Sequence, residues 1–163
     1  MALDILVVDD EADIRDLVAG VLEDEGYTAR TAADSDAALA AIADRRPSLV
    51  LLDVFLKGSR LDGLDLLDEI KRRDPSQPVL VISGHGNLDT AVTAIRRGAS
   101  DFIEKPFSKN IISLKKLILY ILIRIKRIIQ KSIAVARKSQ VIVRKDNFQP
   151  SRQYLFCGGK NKI

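Results

Sequence analysis

The chain has 163 residues, 47% of them hydrophobic and 29% charged, with a net charge of +4, a composition typical of a globular protein rather than a disordered or fibrous one. Its single cysteine excludes an internal disulfide framework. The N-terminus lacks the pattern of a signal peptide, and the longest apolar run, residues 117–123, is far shorter than the about 20 residues of a transmembrane helix, so we expect a cytoplasmic protein without a membrane span.

The first 105 residues alternate short apolar runs with segments in which apolar residues recur at helical spacing. In chain order, the predicted strands are residues 5–8, 28–31, 49–52, 79–82 and 102–103. A helix is predicted after each of the first four strands, and these helices end near Gly26, before Pro47, near Asp74 and at Gly98. Apolar strands that alternate with helices predict a parallel sheet covered on both faces. Because crossovers are right-handed, we expect a doubly wound α/β fold.

Five polar residues lie at or just beyond the ends of four predicted strands: Asp9, Asp10, Asp53, Ser83 and Lys105. The carboxyl ends of parallel strands form one edge of the sheet, where ligands bind in folds of this class. Three ionised carboxylates gathered there need a cation, and Mg²⁺ is the hard ion that prefers carboxylate and phosphate oxygens. With Lys105 and Ser83 placed to hold a phosphoryl group, Asp53 is predicted to be the nucleophile that forms an acyl phosphate.

Two other interpretations compete with this one. Acidic residues after strands are often helix N-caps, and for Asp10 or Ser83 taken alone capping is the better explanation. Capping does not account for an Asp9-Asp10 pair together with a lysine after the fifth strand. A haloacid-dehalogenase-type phosphatase would have a second aspartate two residues after the nucleophile, where this chain has Phe55.

Residues 1 to about 122 resemble the receiver domain of response regulators in bacterial two-component signalling. The matching positions are Asp9, Asp10, Asp53, Ser83, Phe102 and Lys105, which precedes a proline. The resemblance implies a flavodoxin-like, five-stranded parallel sheet of strand order 2-1-3-4-5. The sequences of residues 57–63, 82–86 and 101–107 are similar to receivers of nitrogen-regulation transcription factors, most of all to their NtrX-type branch.

The resemblance also implies a role for each matching residue. Asp53 is expected to accept a phosphoryl group from a sensor histidine kinase, with help from Lys105 and Ser83. The implied Mg²⁺ ligands are Asp9, Asp10, Asp53 and the backbone carbonyl of Phe55. The implied switch residues are Ser83 and Phe102, and the implied modulators of hydrolysis are Phe55 and His85.

We therefore expect a signalling phospho-acceptor rather than an enzyme, with self-catalysed phosphorylation and slow autodephosphorylation. The face formed by the fourth helix, the fifth strand and the fifth helix is expected to switch on phosphorylation and to form a homodimer. His85 has no His or Cys partner in the sequence, so we expect a loop residue beside the site rather than a metal ligand.

One segment departs from the usual receiver pattern. Asp62 and Gly63 lie nine and ten residues after Asp53 rather than seven and eight, and Lys57 stands where a proline is usual. The loop after the third strand is therefore predicted to be two residues longer than in a typical receiver. The backbone carbonyl of Phe55 precedes the insertion and is expected to keep its role.

Residues 106–163 differ from the rest of the chain in charge and composition. Residues 1–105 contain 12 Lys and Arg against 21 Asp and Glu, whereas residues 106–163 contain 14 against one. Alanine falls from 14 residues to 2 across this boundary, while lysine rises from 3 to 9. We expect a receiver domain over residues 1–122 and a basic extension over 123–163, and we hypothesise that a frame change, fusion or truncation lies near residues 107–110.

Apolar residues in this region recur in two stripes at helical spacing. The first stripe consists of Ile111, Leu114, Ile118, Ile121, Ile125 and Ile128, and the second of Ile112, Leu119, Leu122 and Ile129. One of the two stripes is predicted to cover the sheet as the fifth helix, which continues to about residue 136. The other is predicted to stay exposed for a partner helix.

The basic extension suggests an alternative function. The 14 Lys and Arg residues of 106–163 would neutralise the phosphates of a nucleic acid without reading sequence, and the helix of this region would serve as a dimerisation module. No specific nucleic-acid contact is expected from the receiver domain itself.

Overall fold

The structure is a computed structural model that describes residues 2–84, 88–105, 121–131 and 133–135. Five strands alternate with four helices, in the order β1 (Asp4–Val8), α1 (Ala12–Asp24), β2 (Thr28–Ala32), α2 (Ser35–Asp44), β3 (Leu49–Asp53), α3 (Gly63–Arg73), β4 (Val79–Ser83), α4 (Leu88–Arg96) and β5 (Asp101–Glu104). Residues 121–131 and 133–135 are also helical. Within the described ranges, no helix combines the length and the hydrophobicity that crossing a bilayer requires.

The five strands form one parallel sheet of order β2-β1-β3-β4-β5, which confirms the predicted fold class and strand order. The register places Val8 beside Leu52, and Leu52 beside Val81. Asp53 pairs with Ile82, one residue before Ser83. The carboxyl ends of the strands therefore lie level, and the polar residues that follow them share one edge.

Alternate residues of the strands enter two separate apolar cores, because side chains of a strand point to opposite faces. On one face, Leu6, Val50 and Val81 pack in a cluster with helices α2, α3 and α4. On the other face, Ile5 and Leu51 pack in a cluster with α1 and residues 121–131. The sheet is therefore buried on both faces, as its uninterrupted apolar strands predict.

The helical segment 121–131 belongs to the same compact unit as the sheet, residues 1–132. Its residues Ile121, Ile125 and Ile128 are buried in the core, so the first stripe covers the sheet. The prediction that the other stripe stays exposed is wrong where the structure describes it, because Ile129 is buried and Leu122 packs against the same core. The buried face is wider than one heptad stripe, since α1 as well as the sheet covers the segment.

The other members of both stripes, in residues 106–120, lie outside the described residues, as does the predicted end of the helix at about residue 136. Ile123, in neither stripe, is 55% exposed. The predicted division of the chain at residue 122 stays a prediction.

The long loop between β3 and α3 is attached to the start of α2. The Ser35 amide donates to Ser59 Oγ at 2.8 Å, and the Leu61 amide donates to Ser35 Oγ at 3.2 Å. The guanidinium of Arg60 donates to Asp36 Oδ1 through two nitrogens, at 2.7 and 2.9 Å. Ser35 is fully buried, so the loop with its two extra residues is held by specific contacts rather than left open to solvent.

The loop ends where α3 begins, at a close backbone approach. Asp62 caps α3 by accepting a hydrogen bond from the Asp65 amide at 2.8 Å, and the Gly63 amide donates to the Val54 carbonyl at 2.8 Å. A Cβ atom on Gly63 would overlap the backbone carbonyl of Asp53 and would lie 2.6 Å from Val54 Cα. Only glycine fits here, because the obstacle is backbone and cannot rotate away.

The substitution Gly63→Ala should lower the free energy of unfolding by about 3 kcal/mol, since the added methyl group must displace the end of β3 or the start of α3. The matched control is Gly20→Ala in α1, where the added Cβ would meet no atom within 4 Å beyond its chain neighbours and the nearby backbone of its own helix, and where the helix gains stability by about 1 kcal/mol. Urea unfolding measures both. A Gly63→Ala protein as stable as the wild type would contradict the close approach.

Candidate functional site

The carboxyl edge of the sheet brings together five of the residues that the sequence singles out. Asp9 and Asp10 follow β1, Asp53 and Ser83 end β3 and β4, and Lys105 follows β5. Asp9 is 4% exposed, Asp53 is 6% exposed and Ser83 is fully buried. Polar and charged groups are seldom buried to this extent without partners, so their contacts decide what the site can do.

The ammonium of Lys105 lies between two carboxylates. Its Nζ is 2.6 Å from Asp9 Oδ2 and 2.5 Å from Asp53 Oδ2. The other oxygens of these carboxylates accept backbone hydrogen bonds, Asp9 Oδ1 from the Glu11 amide at 2.9 Å and Asp53 Oδ1 from the Phe55 amide at 3.3 Å. Both carboxylates are therefore held at both oxygens, which fixes their directions.

Asp10 completes a group of three carboxylates. Asp9, Asp10 and Asp53 each offer an oxygen, and these oxygens lie within 4.8 Å of one another. Asp10 is more exposed than the other two, and no hydrogen bond or ion pair joins its carboxylate to another residue in the described part of the chain. Three clustered carboxylate oxygens, one of them from a residue that is only partly buried, suit a hard divalent cation.

An apolar floor beneath the site changes the acidity of its groups. Val7, Leu51, Ile82 and Ile121 line the space beside Asp53 and Lys105. Burial raises the pKa of Asp53 above its usual value, against the opposing effect of Lys105. Burial alone would lower the pKa of Lys105, but the charges and hydrogen bonds of Asp53 and Asp9 outweigh it, so that pKa is raised. The lysine stays protonated at neutral pH.

The predicted switch residues lie on the two strands beyond Asp53. The Lys105 amide donates to the Ser83 carbonyl at 2.7 Å, which ties the end of β4 to Lys105. Phe102 pairs with Val81 in the sheet and packs, partly buried, against the core on the α2, α3 and α4 side. Ser83 thus lies on the strand next to that of Asp53, and Phe102 lies one strand further. The three residues are therefore on consecutive strands of the sheet.

The two predicted modulators of hydrolysis have different outcomes. Phe55, two residues beyond Asp53, is 48% exposed and therefore lies at the rim of the site. His85 lies outside the described residues, so its predicted role stays a prediction.

Two residues near the site were not identified from the sequence. Arg15 on α1 donates to the Asp9 carbonyl at 2.7 Å, and helical spacing alone carries no signal for a contact with a preceding loop. Gly63 packs against the backbone of Asp53, and its signal is the Asp-Gly pair at the start of a helix, which the sequence analysis used only to measure loop length.

Comparison with known proteins agrees with this geometry. A family model described as the response regulator receiver domain matches residues 5–116. The nitrogen assimilation regulatory protein NtrX of Azorhizobium caulinodans is 69% identical over 110 residues, which are 68% of this chain and 24% of that protein. The chain thus spans about a quarter of the length of the curated relatives it matches.

Solved structures give the same result. The receiver domain of NtrX from Brucella abortus is 63% identical, with a TM-score of 0.66 over 78% of this chain and 98% of that one. The beryllofluoride-activated NtrC4 receiver domain dimer is 37% identical, with a TM-score of 0.66 over 79% of this chain and 98% of that one. The resemblance to receivers, and to the NtrX-type branch among them, is confirmed.

The substitution Lys105→Met should lower the free energy of unfolding by about 2 kcal/mol at pH 7, because it leaves two buried carboxylates without their cation. Because the pKa of Asp53 is higher in the folded state than its unfolded value of 3.8, ionisation of Asp53 lowers the free energy of unfolding as the pH rises through the raised pKa. Below pH 3.8 the carboxyl group is protonated in both states, and this cost is absent. The loss should therefore be smaller at pH 4 than at pH 7, as urea unfolding at both values measures.

The matched control is Lys71→Met. Lys71 is also partly buried, but its Nζ donates to a backbone carbonyl, that of Gln77 at 2.6 Å, which does not titrate. Its loss of stability should be similar at pH 7 and pH 4. If the loss of unfolding free energy changed equally with pH in the two variants, Lys105 would not be what stabilises the ionised carboxylates.

Proposed function

The chain belongs to the response regulator receiver family, and we propose that it accepts a phosphoryl group on Asp53 from a sensor histidine kinase in the cytoplasm. The observation that carries the proposal is the position of Lys105 Nζ, within 2.6 Å of both Asp9 and Asp53 in a group of three carboxylates. A helix cap needs no such lysine, and a structural ion pair needs no third carboxylate.

In the proposed reaction, an oxygen of Asp53 forms a bond to phosphorus while the bond from phosphorus to the histidine nitrogen of the kinase breaks. The leaving imidazole takes up a proton from solvent. Asp53 is held for attack by Lys105 and the Phe55 amide. The chain catalyses this transfer onto itself and the slow hydrolysis that follows, so it acts as a phospho-acceptor rather than a turnover enzyme.

The donor set fits Mg²⁺, since it consists of carboxylate oxygens from three residues, of which Asp10 is only partly buried. Asp9, Asp10 and Asp53 would hold the ion together with the backbone carbonyl of Phe55. When bound, the ion would offset the charge of the carboxylates and of the incoming phosphoryl group. Lys105 supplies a second, permanent positive charge at the same place.

Phosphorylation would replace the single charge of Asp53 by a phosphoryl group with more acceptor oxygens. Ser83 lies on the neighbouring strand, and we propose that its hydroxyl moves toward the phosphoryl group and donates a hydrogen bond to it. A shift at the end of β4 would change the packing of Phe102, which lies on the next strand. The change would reach the face formed by α4, β5 and the C-terminal helix.

That face carries an apolar stripe on α4. Leu88 is 79% exposed, Val92 is 40% exposed and Ile95 is 48% exposed, at spacings that place all three on one side of the helix. An exposed apolar stripe of this kind favours a protein partner. We propose that a second copy of the chain covers it after phosphorylation, and the activated NtrC4 receiver is described as a dimer.

The exposed ring of Phe55 is proposed to slow hydrolysis of the acyl phosphate. It stands at the rim of the site, and an apolar ring neither binds nor orients the attacking water. His85 would have a secondary part in the same step.

The basic region of residues 106–163 supports a second candidate, non-specific nucleic-acid binding. The observation that favours it is the charge of residues 106–163, with 14 Lys and Arg against one acidic residue. Most of these residues lie outside the described ranges, so this candidate depends on charge alone.

Incubation of the full chain with Mg²⁺ and acetyl phosphate should add the mass of one phosphoryl group, and Asp53→Asn should abolish the gain, because the amide keeps the shape of the side chain without its nucleophilic oxygen. Intact-protein mass spectrometry measures the gain, and thermal unfolding verifies that the variant is folded. Asp68→Asn, an exposed carboxylate on α3, is the matched control and should be phosphorylated as the wild type is. Uptake by Asp53→Asn would refute the assignment.

The phosphorylated chain should sediment as a dimer, and Val92→Glu should keep it monomeric, because a buried carboxylate on the α4 stripe would lack a partner. Ala40→Glu, at an exposed position of α2, adds the same charge away from the stripe and should dimerise normally. Both variants should still gain one phosphoryl group. A Val92→Glu protein that dimerises like the wild type would place the interface elsewhere.

A further inference from the structure

Asp9 is held at every one of its polar groups. Its amide donates to the Ala32 carbonyl at 3.2 Å, and its carboxylate contacts the Glu11 amide and Lys105 Nζ. Its backbone carbonyl accepts from the guanidinium of Arg15 at 2.7 Å. The contacts with Ala32 and Glu11 follow from the fold, and the contact with Lys105 follows from the proposed reaction. The contact with Arg15 is explained by neither the fold nor the reaction.

The backbone of Arg15 is fixed by the first turn of α1. Its amide donates to the Glu11 carbonyl at 3.1 Å, and its side chain is partly buried rather than extended into solvent. Arg15 therefore reaches back over the loop that joins β1 to α1. It contacts that loop at the peptide unit between Asp9 and Asp10, because the Asp9 carbonyl belongs to that unit.

We propose that Arg15 is a positioning residue for Mg²⁺, and that it acts by holding the peptide plane between Asp9 and Asp10. A peptide unit is planar, so a hydrogen bond that fixes the carbonyl also fixes the bond from which the Asp10 residue begins. Asp10 has no side-chain partner among the described residues, so its direction depends on its backbone. The inference rests on the proposed function of the three carboxylates.

A role in electrostatics alone predicts the opposite effect on metal binding. Arg15 is a cation close to the carboxylates, and a cation repels Mg²⁺. Removal of the charge without any change in geometry would therefore strengthen Mg²⁺ binding. Removal of the carbonyl bond would let the Asp9–Asp10 peptide rotate and would weaken binding, since three ligand oxygens must remain within reach of one ion.

The test is isothermal titration of the full chain with MgCl₂ for the wild type, Arg15→Met and Arg15→Lys. Arg15→Met removes both the charge and the donor, and its Mg²⁺ dissociation constant should rise about tenfold. Arg15→Lys keeps one donor and the charge, and should recover most of the affinity. Arg73→Met, on the exposed side of α3, controls for the change in net charge and should stay within about twofold of the wild type.

A second readout separates positioning from damage to the reaction itself. With acetyl phosphate as donor, Arg15→Met should need about ten times more Mg²⁺ for half-maximal phosphorylation and should reach the wild-type rate at saturation. Loss of the saturating rate with unchanged Mg²⁺ affinity would overturn the inference. Thermal unfolding without Mg²⁺ verifies that each variant is folded.

The outcomes distinguish the inference from the function on which it rests. If the wild type neither binds Mg²⁺ nor gains a phosphoryl group, both fail. If the wild type does so and Arg15→Met binds Mg²⁺ as tightly or more tightly, only the inference fails. An Arg15→Lys protein as weak as Arg15→Met would assign the effect to packing rather than to the hydrogen bond, and would also overturn the proposal.

Discussion

The ammonium of Lys105, shared between Asp9 and Asp53, is the interaction on which the site depends. Lys105 follows β5, whereas Asp9 follows β1 and Asp53 ends β3, so the contact spans four neighbouring strands of the sheet. Without it, three carboxylates within 4.8 Å of one another would repel across an apolar floor. The strands end level and in this order, and for that reason one lysine can reach both carboxylates.

The division of the chain by charge differs from its division by packing. The sequence becomes basic after residue 105, yet residues 121–131 complete the core on one face of the sheet. Ile121 also lines the floor beneath Asp53 and Lys105. Arg124 pairs with Asp101 at 2.7 Å, which joins the segment to β5. Part of the basic region is therefore needed to bury the site, whatever the origin of that region, and a receiver that ended at residue 105 would lack this cover.

Residue patterns predicted the elements whose signals are local. Apolar runs located the strands, and the polar residues at their ends identified Asp9, Asp10, Asp53, Ser83 and Lys105 as one site. The prediction that one of the two apolar stripes stays exposed was wrong, because a heptad pattern does not show how many surfaces a helix packs against. The attachment of Ser59 and Arg60 to α2, and the contact of Arg15 with Asp9, depend on tertiary geometry that no local pattern encodes.

Under the proposed function, the arrangement of charges suits both the unphosphorylated and the phosphorylated form of Asp53. In the structure, Lys105 balances a buried Asp53 whose raised pKa reflects the free-energy cost of its ionisation. Addition of a phosphoryl group would add negative charge at Asp53 and would leave Lys105 beside it. The lysine would not need to change its position on the sheet edge. Under the proposed function, the response passes through Ser83 at the end of β4, and because β4 lies between β3 and β5, a shift there would act on Phe102.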